Sequence, residues 1–408
     1  MLQAYELPSI ASLIETRSLR TFFQPIVSVR MKRVAGVEAL LRGVHPDTGE
    51  FISPKDLFDA AIIQEKSHVL DRAAMKLSLT EYARRGLTDQ LLFVNVDLDT
   101  MQAEGRTDEL LRHIGALNIA PGSIVIELVE NQCEDQDRLH NFVARVREHG
   151  VLLAVDDIGA GHSNLERISL IRPDILKIDR SLCSKLGSDR CTEEVFSALV
   201  NLGRRIGSLV VAEGIETRAQ AMEALERGAD LLQGYLILKP QPSESIDLQQ
   251  AQQATSQLAG HFRQHMTQAI NHSKIERRMH NILLDTVLCE LAQAEQNAFA
   301  GTVAQTVRSH PDIECAYILD QRGQQVTDTI FNAHEAPPTS LMFRPADVGA
   351  DHSLKEYYHN LLDQEATRYV TAPYVSLASG HMCRTLSAMF RDGTNEKMFV
   401  LCVDVKAA

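Results

Sequence analysis

Residues 151–165 read VLLAVDDIGAGHSNL, an apolar run that ends in two aspartates and leads into a glycine-containing turn. Seven other runs share this form, with a polar residue at or near one end of an apolar segment. The eight runs, in chain order, are RTFFQPIV (20–27), VAGVEALLR (34–42), QLLFVNVD (90–97), SIVIELVE (123–130), VLLAVDD (151–157), ILKID (175–179), LVVAEGIE (209–216) and LLQGYLI (231–237). Their length and composition predict eight β-strands.

Segments of helical composition separate these runs from the third run onward. Examples are RTDELLRHIGALN (106–118), EDQDRLHNFVARVREHG (134–150), CTEEVFSALVNLGRRIG (191–207) and ETRAQAMEALERG (216–228). Alternating strands and helices are typical of a parallel sheet with helical crossovers. Eight such strands favour a closed barrel, and the GxGxxG loop expected in the alternative, a doubly wound open sheet, is absent.

The first two strands require a different connection. Only 14 residues separate Gln24 from Glu38, which is too few for a helical crossover. We therefore expect these strands to be antiparallel and joined by a turn around residues 30–33. The predicted fold class is α/β, a modified TIM (β/α)8 barrel with an antiparallel first strand, followed by a smaller α+β domain.

Composition limits the function classes. The 408 residues include 44% hydrophobic and 23% charged residues, as in folded soluble proteins, and the length suggests two to three domains. The formal charge of −13 disfavours binding to duplex nucleic acid. No run approaches the length of about 18 apolar residues that a membrane span needs. Without a recognisable secretory signal, and with seven widely spaced cysteines, we expect a cytoplasmic protein with reduced thiols.

The polar ends of the strands predict a catalytic rim, because the carboxyl ends of barrel strands lie at one mouth. The residues expected there are Glu38, Asn95, Glu127, Asp156, Asp157, Lys177, Asp179, Glu213 and Gln233. Five carboxylates so close together would repel one another unless cations neutralise them. Oxygen ligands favour Mg²⁺ or Mn²⁺ over Zn²⁺. Two such ions would support phosphodiester hydrolysis, with Lys177 near the attacking water.

The ordered motifs resemble the EAL-domain family of cyclic-di-GMP-specific phosphodiesterases over roughly residues 20–243. Glu38-Ala39-Leu40 stands inside VEALLR, and FVNVD, IELVE, VDDIGAGHSNL, LKIDRS, VAEGIET and LLQGYL follow in order. The resemblance implies a bacterial signalling enzyme that cleaves cyclic di-GMP to linear pGpG, with two Mg²⁺ or Mn²⁺ ions per active site.

The resemblance also implies a role for each matching residue. The metal ligands would be Glu38, Asn95, Glu127, Asp156, Asp157 and Glu213. Lys177 would contact the attacking water. The catalytic residues would be Lys177, Glu38, Asp156, Asp157 and Glu213. Substrate would be held by Gln24, Leu41, Arg42 and Gln233, with Arg42 on a phosphate. Supporting positions would be Glu130, Asp179 and Glu216.

The loop from Ile158 to Asn164 departs from the common family sequence DDFGTGYSSL by replacing an aromatic residue, a hydroxyl and a tyrosine. Two hypotheses therefore stand beside each other: an active phosphodiesterase, and a catalytically weak cyclic-di-GMP-binding receptor that signals through a partner. A third, an unrelated metal-dependent phosphoesterase, requires the ordered motifs to be coincidental.

The remainder of the chain predicts a helical connector and a second domain. Between residues 245 and 296 apolar residues recur mostly every four positions, which indicates one or two long helices that pack on their own domain or pair two copies into a homodimer. Residues 300–408 resemble a PAS/Cache-like sensory fold. The predicted parts are 1–244, 245–299 and 300–408. Candidates for a pocket that binds an unknown small ligand are Tyr357, Tyr358, Arg368, Tyr374 and Arg384.

Overall fold

The computed structural model describes residues 8–97, 105–129, 136–161, 165–332, 342–363 and 367–407. The chain forms two compact units, Met1–Gln268 and Ala269–Ala408. The boundary between these units lies inside the predicted connector, and the three-part division at residues 244 and 299 stays a prediction. In the described part of the chain, no helix combines the length and apolar composition needed to cross a membrane.

The first unit is built on a closed ring of eight strands. Its strands, with two short additional ones, are β1 (Leu19–Ser28), β2 (Arg33–Val44), β3 (Phe51–Ile52), β4 (Leu91–Val96), β5 (Ile124–Val129), β6 (Leu152–Ile158), β7 (Ile175–Ile178), β8 (Leu209–Ala212), β9 (Leu231–Gln233) and β10 (Gln241–Pro242). The ring runs β1-β9-β8-β7-β6-β5-β4-β2 and closes by pairing β2 with β1, while β3 and β10 pair with β2 and β1 from outside the ring.

Strand direction confirms the modified barrel. β1 is antiparallel to both β2 and β9, whereas the neighbours from β2 round to β9 are parallel. Only residues 29–32 connect β1 to β2, so the chain reverses in a tight turn as the sequence predicts. Each of the eight predicted runs forms one strand of the ring.

Helices cover the outside of this barrel. They are α1 (Ile10–Glu15), α2 (Pro54–Ile63), α3 (Ser67–Arg85), α4 (Arg106–Ala116), α5 (Gln136–Glu148), α6 (Leu165–Ile171), α7 (Arg180–Cys183), α8 (Arg190–Ile206) and α9 (Arg218–Glu226). α8 shows why they form. The Asp189 side chain accepts a hydrogen bond from the Thr192 N–H at its start, and Gly207 with φ 83° ends it. Phe196 and Val200 lie one turn apart on its buried face.

An apolar layer fills the middle of the barrel. Its buried members are Ile26, Phe93, Val125, Ala154, Ile175, Val211 and Leu231. Each comes from a different strand, and because alternate strand residues share a face, the residues two positions away also face the barrel interior. The interior is therefore packed below the rim, and polar side chains at the next layer are carried on a rigid support.

The second unit contains an antiparallel sheet with helices on both faces. α10 (Leu248–Leu291) begins in the first unit and ends in the second. The remaining elements are α11 (Phe299–Ser309), β11 (Ile313–Asp320), β12 (Ile330–Phe331), α12 (Glu356–Asp363), β13 (Arg368–Val370), β14 (Tyr374–Val375), β15 (Met382–Arg391) and β16 (Met398–Lys406). The sheet order is β12-β11-β16-β15-β13, with β14 also on β15.

Alternate residues of each strand face opposite sides of this sheet, so its core consists of two apolar layers. On β16, Phe399 and Leu401 pack with the end of α10 and with α11, whereas Val400 and Cys402 pack with α12. The stretch ECAYILDQRGQQVTDTI (314–330) predicts a strand, a turn at residues 321–324 and a second strand. The predicted turn forms. The second strand of this pair forms in part: Gln325 bridges Leu319, and β12 pairs antiparallel with β11. Near the turn, Gln324 pairs instead with Asp351, and the Gln325 N–H donates to the carbonyl oxygen of Ala350. A separate sheet domain is confirmed, and its PAS/Cache-like nature stays a prediction.

Candidate metal centre at the barrel rim

The predicted polar residues of β4 to β9 form the layer directly above the apolar interior. Each lies two positions after a residue of that layer, which places it on the inward face at the carboxyl end of its strand. These residues are Asn95, Glu127, Asp156, Lys177, Glu213 and Gln233. On the antiparallel β1, Gln24 lies two positions before Ile26 and is in register with Glu38 of β2. Strand periodicity thus brings the predicted rim together.

Lys177 lies at the centre of the carboxylates. Its Nζ is 2.6 Å from Glu127 Oε1, 2.7 Å from Glu213 Oε1 and 3.0 Å from Asp156 Oδ1. Glu38 Oε1 is further away, at 3.9 Å. The contacts with Glu127 and Glu213 are close ion pairs without aligned hydrogen bonds. Because Lys177 is 1% exposed and Glu127 0%, water screens these charges little.

Burial and neighbouring charges shift the pKa values at this rim. Burial raises the pKa of Glu127 and of Glu213 well above the usual range, and Lys177 opposes this rise only in part. For Lys177 itself, burial lowers the pKa, but Asp156 and the other carboxylates outweigh burial and raise it well above the usual range. Four carboxylates thus share one lysine, and in their ionised form they leave a net negative charge that further cations would neutralise.

The donor set fits hard divalent cations. Carboxylate oxygens of Asp156, Asp157 and Glu213 lie within 4.8 Å of one another. Buried Glu127 Oε2 has no hydrogen-bond partner among the described residues. Carboxylate oxygens with one amide oxygen are the ligands that Mg²⁺ and Mn²⁺ prefer. The residues present therefore suit a metal centre.

An irregular end of β6 makes adjacent Asp156 and Asp157 available together. The ladder between β6 and β7 skips from Val155 to Ile158, and Asp157 has a positive φ of 57°. Successive residues of a regular strand point to opposite faces, so this break allows both carboxylates to reach the same group. Burial, and then the neighbouring Asp156, raise the pKa of Asp157 to about 6.

Neutral amides hold the carboxylate of Glu38. Gln233 Nε2 donates to Glu38 Oε2 at 2.5 Å and to Gln24 Oε1 at 3.2 Å. Asn95 Nδ2 donates to Glu38 Oε1 at 3.0 Å, which leaves the Asn95 amide oxygen for another group. The Gln24 amide donates in turn to the carbonyl oxygen of Leu238 at 3.3 Å. This chain of hydrogen bonds orients Glu38.

The predicted substrate residues Leu41 and Arg42 follow Glu38 on β2. Leu41 is buried, whereas Arg42 is partly exposed. The Arg42 guanidinium lies 5.5 Å from the centre of the Phe22 ring and donates to the Leu41 carbonyl oxygen at 2.7 Å. Its remaining N–H groups are suited to an anion, since a guanidinium offers five donors. Burial lowers the pKa of Arg42.

Two of the predicted supporting residues, Asp179 and Glu216, bond to groups outside this carboxylate cluster, although after burial and Asp156 the charge of Asp179 contributes to the raised pKa of Asp157. Asp179 caps α7, where its Oδ1 accepts from the Ser181 N–H at 2.8 Å. Glu216 is 42% exposed and pairs with Arg180 at 2.8 Å. Glu130 and residues 162–164 of the divergent loop lie outside the described residues. The predicted roles of these residues therefore stay predictions.

Asp71 was not among the predicted site residues. It lies on α3, is 6% exposed, and its Oδ1 accepts from the Asp97 N–H at 3.3 Å. Burial raises its pKa to about 7. Its Oδ2 has no partner among the described residues, and it lines a cavity of about 290 Å³ with Leu41 and Asn95. In the sequence, the position of Asp71 in the apolar stripe of α3 is the signal that could have predicted its burial.

Comparison with known proteins identifies the first unit. Residues 9–240 match the family model of the EAL domain. The chain is 31% identical over 244 residues to "Probable cyclic di-GMP phosphodiesterase PdeN" of Escherichia coli K12, a match that covers 58% of this chain and 46% of that protein. It is 26% identical over 379 residues to "Uncharacterized EAL-domain containing protein YkuI" of Bacillus subtilis 168, with 90% of each chain covered.

Solved structures show the same folds. The crystal structure of Bacillus subtilis YkuI, in complex with substrate c-di-GMP and calcium, has a TM-score of 0.82 at 24% identity and covers 98% of this chain and 100% of that one. This likeness establishes the fold across both units. A manganese and cyclic-di-GMP complex of Klebsiella pneumoniae BlrP1 has a TM-score of 0.52 at 27% identity, over 55% of this chain and 57% of that one.

Proposed function

The chain belongs to the EAL-domain family, and we propose that it hydrolyses cyclic di-GMP to linear pGpG in a reaction that depends on divalent metal ions. The observation that supports this proposal most directly is the group of carboxylate oxygens around Lys177 at the barrel rim. The names of the E. coli relative and of the BlrP1 complex support the substrate. The match spans about half of that relative, so the activity of the whole chain belongs to the proposal.

The proposed metal ligands are Glu38, Asn95, Glu127, Asp156, Asp157 and Glu213. Two Mg²⁺ or Mn²⁺ ions bound there would supply an activated water and neutralise charge on the phosphodiester. Manganese in the BlrP1 complex supports this choice of metal. The carboxylates must be deprotonated to act as ligands, and Lys177 favours their ionised form. The amides of Gln233 and Asn95 fix the direction of the Glu38 oxygens.

Other residues of the chain would hold the substrate and the water. Lys177 is positioned by Glu127 and Glu213, and its N–H groups would donate to the attacking water. Arg42, with guanidinium donors to spare, would bind a phosphate oxygen. Leu41, beside Arg42 on β2, would contact the nucleotide. The reaction would break one ester bond of the cyclic dinucleotide and leave a linear product with one terminal phosphate.

The wider setting belongs to the same proposal. The six described cysteines are unpaired, which fits the reducing cytoplasm. Homodimer formation is supported by exposed apolar side chains on α10, where Ile275, Met279 and Ile282 recur at helical spacing and are each at least 51% exposed.

The test is incubation of the full chain with cyclic di-GMP and either Mg²⁺ or Mn²⁺, with products separated by chromatography. We expect pGpG from the unaltered protein and none from Asp156→Asn, which removes an anionic ligand. The matched control is Asp108→Asn, because the Asp108 side chain is 55% exposed and pairs with Arg145 on the barrel surface. This control should keep full activity.

Two results would contradict the proposal in different ways. Binding of cyclic di-GMP without product would indicate the receptor function and direct attention to the loop after Asp157. Product formed equally by Asp156→Asn would show that the carboxylate cluster does not carry the reaction.

A further inference from the structure

The second unit contains a cavity of about 500 Å³. Its lining includes the side chains of Tyr317, Tyr357, Tyr374 and Asp404. Of the pocket candidates predicted from sequence, Tyr357 and Tyr374 line this cavity. The others are engaged elsewhere: the Tyr358 hydroxyl donates to the Gln321 carbonyl oxygen at 2.9 Å, Arg368 pairs with Asp285, and Arg384 pairs with Glu276 at 3.3 Å.

Asp404 is an exception to the pattern of its strand. On β16, Val400 and Cys402 face the layer formed with α12, and alternation places Asp404 on the same face. Asp404 is 2% exposed. A carboxylate at a position otherwise occupied by apolar residues is costly unless a partner compensates its charge.

The described partners of Asp404 are all neutral. Thr385 Oγ1 donates to its Oδ1 at 2.7 Å, while Ser376 Oγ and Cys315 Sγ lie 3.4 Å and 3.6 Å from its Oδ2. No described lysine or arginine forms an ion pair with it. Two of the three contacts are long, so Oδ2 retains capacity for a strong donor. Burial, more than the nearby Glu314, raises the pKa of Asp404 to about 6.

The walls of the cavity suit a positive charge. Tyr317 and Tyr357 are each at most 5% exposed, and Tyr374 is partly buried. The faces of aromatic rings attract cations, most strongly where water is excluded. Among the described lining residues, the two cations Arg344 and Lys355 face three carboxylates, since Asp347 and Asp351 join Asp404. One negative charge is left over, and burial lowers the pKa of His352, so its imidazole stays neutral.

We propose that this cavity binds a small organic ammonium ion, whose N–H groups donate to Asp404 and whose apolar part lies among Tyr317, Tyr357 and Tyr374. The charge balance selects a monocation. Neutral molecules of the same shape would leave the Asp404 charge uncompensated, and anions would be repelled. This site lies entirely within the second unit and involves none of the residues proposed for hydrolysis.

The test uses three probes of nearly equal shape: 2-phenylethylammonium, 2-phenylethanol and 3-phenylpropanoate. Each is titrated calorimetrically into the full chain at pH 7.5, without cyclic di-GMP or metal. We expect saturable binding of the ammonium probe, with an affinity at least about tenfold higher than for the alcohol or the carboxylate. No binding by any probe, or equal affinities for the three, would overturn the proposal.

Two pairs of variants locate the site. Asp404→Asn keeps the shape of the side chain and should weaken ammonium binding about tenfold or more. Its control is Asp312→Asn, which neutralises an exposed carboxylate of the same unit that does not line the cavity and should leave binding unchanged. An unchanged affinity in a folded Asp404→Asn variant would contradict the assignment.

The second pair concerns an aromatic wall and stays informative if Asp404→Asn fails to fold. Tyr374→Leu removes the ring and should weaken ammonium binding roughly two- to fivefold. Tyr374→Phe keeps the ring and removes only the hydroxyl, which is 2.6 Å from Thr385 Oγ1, and should bind like the unaltered protein. Equal weakening by both variants would rule out the ring as the element that holds the cation.

Discussion

The barrel and the sheet domain both bury carboxylates, but they compensate them differently. At the barrel rim, Glu127 is 0% exposed and its Oε1 lies 2.6 Å from Lys177 Nζ. In the sheet domain, Asp404 is 2% exposed, and its described partners are two hydroxyls and a thiol. A fixed cation offsets part of the desolvation penalty of neighbouring carboxylates, whereas neutral donors leave most of that penalty in place.

This difference in charge compensation indicates which ligands each site is suited to bind. At the rim, one lysine serves several carboxylates, so the cluster retains negative charge for ions with several ligands. In the sheet domain a single carboxylate faces an aromatic cavity, which suits one monovalent group. The comparison predicts that removing the cation at the rim has a larger effect than neutralising the carboxylate in the sheet.

The largest expected effect follows Lys177→Met. This variant leaves Glu127, Glu213 and Asp156 buried together without their shared cation. Breaking a buried ion pair typically destabilises a protein by about 3 to 5 kcal/mol, and hydrolysis should be lost as well. The free energy of unfolding is measured with urea at pH 7.5 in the absence of divalent ions.

Lys185→Met is the matched control for this change, because Lys185 is exposed. It should change the free energy of unfolding by less than about 0.5 kcal/mol. If Lys177→Met proved as stable as this control, the rim carboxylates would not depend on Lys177 and the contrast between the two units would fail.

The next effect is a pH dependence in the sheet domain. Burial raises the pKa of Asp404 from 3.8 to about 6. Below about pH 4 the group is protonated in both states; as the pH rises the unfolded chain ionises first, so stability falls until about pH 6 and then stays lower. A shift of about two pKa units corresponds to about 3 kcal/mol. Asp404→Asn should lack this loss.

Urea unfolding at pH 4 and pH 7 measures this difference. Tyrosine fluorescence is a suitable signal, because five of the eight tyrosines lie in the second unit and the chain has no tryptophan. Asp328→Asn, at an exposed position, is the control and should show the pH dependence of the unaltered protein. A parallel pH dependence in Asp404→Asn would show that Asp404 is not the titrating group.

Strand periodicity made much of the barrel predictable. Apolar runs with polar ends identified all eight strands, and the short distance between Gln24 and Glu38 identified the antiparallel pair. The rim was predictable for the same reason, since Glu127 and Lys177 each follow an inward apolar residue by two positions. A local pattern is sufficient when each side chain is positioned by its own strand.

Features that depend on distant contacts were less predictable. Asp71 is brought beside Asn95 by the packing of α3 on β4, and nothing local to α3 indicates that neighbour. The second strand expected after β11 is shortened to a bridge at Gln325 and the two residues of β12, and residues 350–351 take up hydrogen bonds near the turn. Arg368 and Arg384 were expected at a pocket, but carboxylates of α10 pair with them. Long-range pairing outweighs local propensity in each case.

The smallest expected effect concerns the neutral donors at the rim. Gln233→Leu removes the amide that donates to Glu38 Oε2 at 2.5 Å, while Lys177 and the other carboxylates keep their ion pairs. Partners that orient a metal ligand typically contribute about 10- to 100-fold in metal affinity, so the Mg²⁺ concentration for half-maximal hydrolysis should rise by that factor. Gln249→Leu, at an exposed position of α10, should leave this concentration unchanged. An unaltered Mg²⁺ dependence in Gln233→Leu would mean that Lys177 and the charged ligands alone organise the rim. Neutral donors would then orient a buried carboxylate only where no cation is present, as at Asp404.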